Sequence, residues 1–165
     1  MLFRSVHITM EIITTRDIAR QILRHRSFSF QEFSQRYADP TKDLGFTLRE
    51  ARLQDTKNRQ NSLETDDAGI KNMWNTKQDH VRWAAEDAYN WAIENGIAKE
   101  QARAVLPEGL TNSQMYMVGS LRSFIHWIQV RTDPSTQKEH RQVASSAWNE
   151  ILEHFPSLKD CIDKS

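Results

Sequence analysis

Hydrophobic and polar residues alternate over the first stretch of the chain, from Val6 to Thr14, which reads VHITMEIIT. A period of two predicts a half-buried strand. The period then changes to three and four, which predicts a helix from a cap at Thr14 or Thr15 to about residue 23 or 25. The apolar stripe of that helix consists of Ile18, Ala19, Ile22 and Leu23. Alternation returns briefly over 27–34, so we expect a short extended segment there.

Helical periodicity begins again at about residue 77 and continues to 95, where Asn95-Gly96 supplies a stop signal. A shorter helix follows from Ala98 to about Leu106 and ends at Pro107. The apolar face of the longer helix is predicted to contain Val81, Ala84, Ala85, Ala88 and Ala92.

In the last third of the chain, the pattern predicts a strand over 114–119 and two helices, over Leu121–Arg131 and over about 137–154. A capping-box spacing, Thr136 to Glu139, is predicted to open the final helix. Its buried face is expected to consist of Val143, Ala144, Ala147, Trp148, Ile151 and Leu152. The tryptophans Trp83, Trp91, Trp127 and Trp148 all fall within helical periods, so we interpret them as core or interface packing.

Residues 38–76 are polar and rich in turn formers, and no period is sustained there. We expect a long excursion, a type of segment that is often functional or mobile. The pattern as a whole predicts one helix-rich α+β domain over residues 1–165, with a small, mainly antiparallel sheet.

Charge and composition narrow the function classes. Lys+Arg and Asp+Glu both total 22, so the formal charge is zero. A protein that binds nucleic acid mainly through phosphate contacts usually has a net positive charge, so nucleic acid is not the expected partner. Apolar stretches are too short for a membrane span, and the start lacks a signal-peptide pattern, which predicts a cytoplasmic protein. One cysteine, Cys161, cannot form a metal site or an intrachain disulfide, and we predict no metal.

The densest candidate chemistry is the run Arg24-His25-Arg26, followed by Glu32, Ser34 and Arg36. Guanidinium groups bind phosphate or carboxylate with two parallel hydrogen bonds, and neighbouring phenylalanines offer walls for a flat ring. The alternative is a solvated basic helix end paired with Glu32 and Asp17.

A second polar group lies further along the chain and contains Arg103, Arg122, His126 and Arg131. Each member also has a structural explanation: His126 as a hydrogen-bonded residue at the edge of the core, and Arg131 as a cation at a helix C-terminus. Other kinds of site are not supported, because no GxGxxG, GxxxxGK[ST], HExxH or GxSxG pattern occurs.

The run from Arg24 to Arg36, RHRSFSFQEFSQR, resembles the signature of flavin-dependent thymidylate synthases, which is Arg-His-Arg, seven residues, then Ser. Gln21 stands three residues before it, as in that family. The segments RAVLP at 103–107 and LRSFIHWIQVRTDPSTQKEHR at 121–141 resemble the family's ARxxLP and NxRSLxHFLxLR…AQxEIR blocks. The resemblance spans nearly the whole chain, and it implies the flavin-dependent thymidylate synthase fold.

The resemblance implies roles for particular residues. Arg131 would face the uracil and favour ionisation of N3, which makes it the catalytic residue. FAD would be held by Arg24, His25, Arg26, Glu32, Ser120, Leu121, Arg122 and His126. The substrate dUMP would be bound by Gln21, Arg24, Glu32, Phe33, Ser34, Gln35, Arg36, Arg103 and Arg131.

The implied reaction is reductive methylation of dUMP to dTMP. The one-carbon donor would be 5,10-methylenetetrahydrofolate, and NADPH would reduce the flavin that supplies the hydride. No cysteine nucleophile is needed. The resemblance also implies a homotetramer with active sites between subunits. The alternative is a non-catalytic nucleotide- or RNA-binding remnant of the family.

Three departures from the family pattern stand out. Gln31 stands where Asn is frequent, and Ser120 stands where Asn is usual beside the flavin. Family chains also carry several dozen more residues before the first strand, including a segment near the flavin and folate. We therefore expect a weaker affinity for FAD than in a relative with the usual N-terminal segment.

Overall fold

A computed structural model describes residues 5–159 of the chain. Three strands form a sheet in the order β1-β5-β2, and two short strands pair antiparallel as a hairpin, with Leu53 opposite Leu63. The sheet consists of β1 (His7–Thr15), β2 (Ser29–Glu32) and β5 (Asn112–Ser120), and the hairpin of β3 (Arg52–Gln54) and β4 (Ser62–Glu64).

Six α-helices are found within residues 5–159, and two short 3₁₀ turns follow α4 and α6 at Arg103–Val105 and Pro156–Leu158. None of the described helices is long and apolar enough to cross a membrane. The helices are α1 (Arg16–Ile22), α2 (Pro40–Asp43), α3 (Ala68–Glu94), α4 (Lys99–Ala102), α5 (Leu121–Arg131) and α6 (Lys138–His154).

The chain divides into two compact units that each contain several segments. Unit 1 takes residues 1–12, 18–31 and 115–165, and unit 2 takes residues 13–17 and 32–114. Nothing in the structure tests the predicted single domain over residues 1–165, which stays a prediction.

The core of unit 1 is built where α5 packs on α6. The apolar stripes of both helices and of α1 contribute fully buried side chains, which is how an amphipathic helix gains most of its stability. Its largest buried residues are Ile18, Ile22, Met115, Met117, Phe124, Trp127 and Ile128.

The interior of unit 2 is smaller. Tyr89 and Ala92 of α3 pack with Ala102 and Leu106, which lie in and just after α4. Gly96 follows the end of α3 with a φ of +76°, a conformation that glycine adopts without a steric penalty.

Most predicted elements are confirmed. The first strand, α1 and the short extended segment at β2 lie where the pattern placed them, and α5 has the predicted bounds. The strand predicted at 114–119 is observed as β5 over 112–120. A helix-rich α+β fold is therefore correct.

The prediction for the middle of the chain was partly wrong. Helix α3 begins at Ala68 rather than near residue 77, because Asp67 caps it by accepting a hydrogen bond from the Ile70 backbone N–H. The polar excursion also contains α2 and the β3–β4 hairpin. The predicted 98–106 helix is a single turn, α4, which continues as a 3₁₀ turn.

The predicted apolar face of α3 was also wrong, since only Ala85 and Ala92 of its five members are buried. The side of α3 that its own chain covers contains Gln78, Ala85, Tyr89 and Ala92. Of the four tryptophans interpreted as packing, Trp127 is buried and Trp148 half-buried, whereas Trp83 and Trp91 are 73% and 59% exposed.

The predicted capping box of the last helix is not formed. The helix begins at Lys138, and Gln137 occupies the cap position without a side-chain cap hydrogen bond. Its apolar stripe is nevertheless confirmed, with Ala144, Ala147 and Ile151 buried. Cys161 lies outside the described residues.

Candidate active site

The Arg-His-Arg run of unit 1 lies in the turn that follows α1, and the backbone N–H of His25 still bonds to the carbonyl of Ile22. The side chains of Arg24 and Arg26 are exposed, and neither has a hydrogen bond or ion pair within residues 5–159. Two guanidinium groups that no described carboxylate neutralises are well suited to bind an anionic group.

His25 lies between these arginines and is half-buried, with its ring 6.1 Å from the ring of Phe28 in an edge-on contact. Burial lowers the pKa of His25, and the positive charges of Arg131 and His126 lower it further. The sequence-predicted residues His25, His126 and Arg131 are therefore close enough in unit 1 to influence each other electrostatically.

An aromatic wall lies behind His25. The ring of Phe28 packs edge-on against Phe124 at 4.9 Å and against Trp127 at 6.4 Å. Gly119 of β5 makes this packing possible, because a Cβ there would come within 2.4 Å of the Phe28 ring. The wall fixes the turn that carries the two free guanidiniums.

Helix α5 positions the next group of predicted residues. Ser120 caps this helix, with its hydroxyl accepting a hydrogen bond from the Ser123 backbone N–H at 3.2 Å. Leu121 is half-buried against the core, and its N–H donates to the Val6 carbonyl. Arg122 and His126, one turn apart, are exposed. The Ser120 hydroxyl is thus already engaged by the cap, while Arg122 and His126 are accessible.

Arg131, the predicted catalytic residue, is the last residue of α5 and is half-buried. Its Nε–H is buried, and no acceptor for it is found within residues 5–159. A buried donor without a partner is costly and uncommon, and functional sites are one place where it occurs. Arg131 therefore combines a permanent positive charge with an unused donor.

Gln21 of α1 is held by two residues that sequence reasoning missed. The Oε1 atom of Gln21 lies 3.3 Å from Nδ1 of His140, and its Nε2 donates to Oε1 of Gln137 at 2.8 Å. A signal for His140 existed, because it lies on the same helical stripe as Ala144, Ala147 and Ile151. The capping-box spacing favoured Thr136, and not Gln137, as the cap residue of this helix.

In unit 2, Glu32 lies at the end of β2, and its carboxylate already has bonding partners. It accepts a hydrogen bond from the Ser113 hydroxyl at 2.7 Å and forms an ion pair with Arg16 at 3.5 Å. The alternative interpretation required Glu32 to pair with the Arg-His-Arg run, whereas its ion-pair partner is Arg16, at the start of α1. The same contacts fix the carboxylate in one place.

The segment after β2 forms a tight turn, in which the Ser34 carbonyl accepts from Tyr37 and Ala38. Phe33 and Ser34 are half-buried, and Gln35 is buried with no partner for its Nε2 within the described chain. Arg36 pairs with Glu100 at 3.3 Å, and Arg103 donates from Nε to the Glu100 carbonyl at 3.3 Å. Arg36, Arg103 and Glu100 therefore cluster in unit 2.

These side chains fit the ligands that the sequence predicts. The unpaired guanidiniums of Arg24, Arg26 and Arg122 suit a pyrophosphate, and the half-buried imidazole of His25 suits the edge of a flat ring system. Within residues 5–159, no cluster of three or more metal-ligating side chains is found. Cationic side chains above an aromatic wall are typical of an enzyme that binds phosphate-bearing ligands with flat rings.

Comparisons with known proteins agree with this class. The family model described as "Thymidylate synthase complementing protein" matches residues 2–157. A flavin-dependent thymidylate synthase of Synechocystis sp. is 48% identical over 162 residues, which cover 98% of this chain and 74% of that protein. A probable flavin-dependent thymidylate synthase of Paramecium bursaria Chlorella virus 1 is 43% identical with the same coverage. The chain therefore belongs to the flavin-dependent thymidylate synthase family.

The family, the enzyme class and the thymidylate synthase function predicted from the sequence are confirmed by this membership. A solved structure, the UMP/dUMP methylase PolB of Streptomyces cacaoi bound with 5-Br UMP, is similar with a TM-score of 0.78. The match covers 89% of this chain and 69% of the PolB chain. At 23% sequence identity it supports only the α+β fold.

Proposed function

We propose that this chain catalyses the reductive methylation of dUMP to dTMP with FAD as its flavin. The one-carbon donor is 5,10-methylenetetrahydrofolate, and NADPH is the reductant. Family membership supports the reaction class, and the placement of particular side chains supports the binding of a nucleotide and a flavin.

One observation carries the proposal: Arg131 has a buried Nε–H without a partner in residues 5–159. Negative charge that develops on a pyrimidine ring is stabilised most by a cation already in place and partly shielded from water. Arg131 meets both conditions, because it is half-buried and permanently protonated. It would stabilise the uracil after loss of the N3 proton and so raise the electron density at C5.

The histidines near Arg131 support this role. Burial and the charge of Arg131 lower the pKa of His25, and they lower that of His140 to about 4. Both imidazoles therefore favour the neutral form at pH 7, and Arg131 supplies the positive charge of this cluster. As the family resemblance implies, the nucleotide would be bound by Gln21, Arg24, residues 32–36 and Arg103.

The flavin would be bound by residues from the turn after α1 and from α5, together with Glu32. Arg24, Arg26 and Arg122 would bind its pyrophosphate, while His25, His126 and the segment that begins at Ser120 and Leu121 would contact its rings. When bound and reduced, the flavin supplies a hydride. The chain's own contribution is to orient the ligands, exclude water and stabilise charge on the pyrimidine.

Tritium release from [5-³H]dUMP tests the reaction directly. Purified protein is incubated with FAD, NADPH and methylenetetrahydrofolate, and Arg131→Ala and Arg131→Lys are compared with the wild type. We expect Arg131→Ala to lower kcat at least about 100-fold, the range found when a preorganised charge-stabilising group is removed. Arg131→Lys should retain part of the rate, because lysine keeps the positive charge but lacks the planar guanidinium group that donates two parallel hydrogen bonds.

Arg82 provides a matched control. Its guanidinium pairs with Asp79 and Glu86 on its own helix, and Arg82→Ala removes a half-exposed arginine without touching any proposed ligand contact. Its rate should stay within about twofold of wild type. Equal loss of rate in Arg82→Ala and Arg131→Ala would contradict the proposal.

The alternative, a nucleotide- or RNA-binding remnant, predicts a different outcome. Such a protein would bind dUMP or an oligonucleotide but would purify without flavin absorbance and could not be reconstituted with FAD. Folded wild type that binds dUMP, stays colourless after incubation with FAD and releases no tritium would favour this alternative.

We further propose that the enzyme is a cytoplasmic homotetramer. Helix α3 supports assembly, because Trp74, Val81 and Trp91 are exposed on it and large exposed apolar side chains often mark interfaces. Sedimentation equilibrium measures the mass of the assembly. A single 19.3 kDa species at micromolar concentration would exclude the tetramer.

A further inference from the structure

A chain of hydrogen bonds links three side chains of unit 1 to Gln21. His140 and Gln137 contact the two ends of the Gln21 carboxamide, at 3.3 Å and 2.8 Å. Gln137 in turn donates from Nε2 to Oε2 of Glu139 at 2.9 Å. Gln21 is separated from these partners by 116 and 119 residues, so the tertiary fold brings them together.

The direction of every hydrogen bond in this chain follows from Glu139. An ionised carboxylate can only accept, so Gln137 must turn its NH₂ group toward Glu139 and its carbonyl toward Gln21. Gln21 must then donate from Nε2 to Gln137, which leaves its own carbonyl facing His140. Nδ1 of His140 must therefore carry the hydrogen that this carbonyl accepts.

His140 is suited to hold this position because it cannot move or ionise easily. It is fully buried, and its ring lies 6.1 Å from the ring of Trp127. Burial lowers its pKa to about 4, and the charges of Arg131 and His25 contribute. At neutral pH the ring is thus a neutral tautomer with its hydrogen on Nδ1. Its Nε2 is buried and has no partner within residues 5–159.

We propose that His140 is a positioning residue that fixes the Gln21 carboxamide in one orientation, so that Gln21 recognises the uracil ring and rejects cytosine. After its bonds to His140 and Gln137, Gln21 retains one N–H and one carbonyl lone pair in a fixed order. On binding, before N3 loses its proton, uracil presents a donor at N3 and an acceptor at C4, and cytosine presents the reverse. A carboxamide held in one order therefore matches only one of them. The inference rests on the proposed binding of dUMP by Gln21.

The residue type supports a specific purpose for His140. His140 is fully buried on the core-facing side of α6, a position where an apolar residue is the ordinary choice. An apolar residue there would fill the same core but could not donate to Gln21. Burying a histidine costs desolvation free energy, and the hydrogen bond to Gln21 offsets part of that cost.

Two substitutions separate the hydrogen bond from packing. His140→Leu fills the buried space without a donor, whereas His140→Asn can place its amide N–H where Nδ1 stood. Ile151→Val is the matched control, because Ile151 is buried on the same helix and its side chain can form no hydrogen bond with Gln21. The measurements are kcat and KM for dUMP, and binding of dUMP and dCMP to the FAD-loaded protein by calorimetry.

We expect His140→Leu to raise KM and Kd for dUMP five- to tenfold while kcat changes less than twofold. The preference for dUMP over dCMP should fall by a similar factor. His140→Asn should return both values to within twofold of wild type, and Ile151→Val should leave both unchanged. An unaltered preference in His140→Leu, or an equal effect in Ile151→Val, would overturn the inference.

The tautomer gives a second test that is independent of activity. Nitrogen-15 shifts of the His140 ring in the folded wild type should show hydrogen on Nδ1 alone between pH 6 and 8. Hydrogen on Nε2, or a charged ring at pH 7, would contradict the arrangement. Wild type that binds dUMP selectively through His140 but releases no tritium would contradict the proposed function and not this inference.

Discussion

Helices α3 and α6 are both long and amphipathic in sequence, yet the chain uses them in different ways. In α6, the apolar stripe read from the sequence is the stripe that packs on α5, and Ala144, Ala147 and Ile151 are buried. In α3, the residue at the start of the predicted stripe, Val81, is 51% exposed, and the helix is held instead by Gln78, Tyr89 and two alanines.

The difference shows that periodicity identifies a helix but not what covers it. The α6 stripe meets the partner that its own chain supplies. On α3 the chain covers a different stripe, whose members include a buried glutamine. Apolar residues left outside are available to another surface, which agrees with the proposed homotetramer.

The largest effect is expected from Ile151→Ala in α6. Removing three buried carbons from a packed core costs about 3 kcal/mol in transfer and cavity free energy. Urea unfolding, followed by far-ultraviolet circular dichroism, measures the loss. A loss below about 1 kcal/mol would mean that the α6 stripe is no better packed than the exposed side of α3.

A smaller but clear effect is expected from Gln78→Leu in α3. Gln78 is buried, and its carboxamide bonds to both the N–H and the carbonyl of Arg49, at 2.7 Å and 2.8 Å. Leucine would remove both of these buried hydrogen bonds, which costs about 2 kcal/mol. The same urea unfolding experiment measures this loss of stability. An unchanged or raised stability would show that α3 is held by its apolar contacts alone.

The smallest effect is expected from Val81→Ala. In dilute protein the free energy of unfolding should fall by less than about 0.5 kcal/mol, because half of this side chain is already in water. A loss that grows with protein concentration would measure burial against another copy. A loss above about 2 kcal/mol in dilute protein would mean that Val81 is covered by its own chain.

Sequence patterns predicted the local structure around the site well. The strand β1, the helix α1 and the helix α5 follow from periods of two and of about 3.6, because these elements have one face in the core. The start of α3 at Ala68 was missed, because the polar, turn-rich residues before it hid the helical spacing of Ile70, Met73 and Trp74, which are exposed. Its cap, Asp67, was a second signal.

The candidate site was predicted in part. The motif identified Gln21, the Arg-His-Arg run and Arg131, since these residue types have unusual spacing and chemistry. It did not predict that Glu32 is fixed by Arg16 and Ser113, or that the Ser120 hydroxyl is engaged as a helix cap. The Glu32 contacts depend on residues that lie far apart along the chain, whereas the Ser120 cap is a local contact of a residue type that favours this position.

The sequence by itself determined the family, the order of helices and strands, and the residues able to bind phosphate and a flat ring. These properties follow from local periodicity and from residue chemistry, both of which depend only on the order of residues in the chain. Only the tertiary structure decided that Arg131 keeps an unpartnered buried donor and that His140 faces Gln21. Burial and long-range hydrogen bonds depend on which distant segments meet, and no local pattern carries that information.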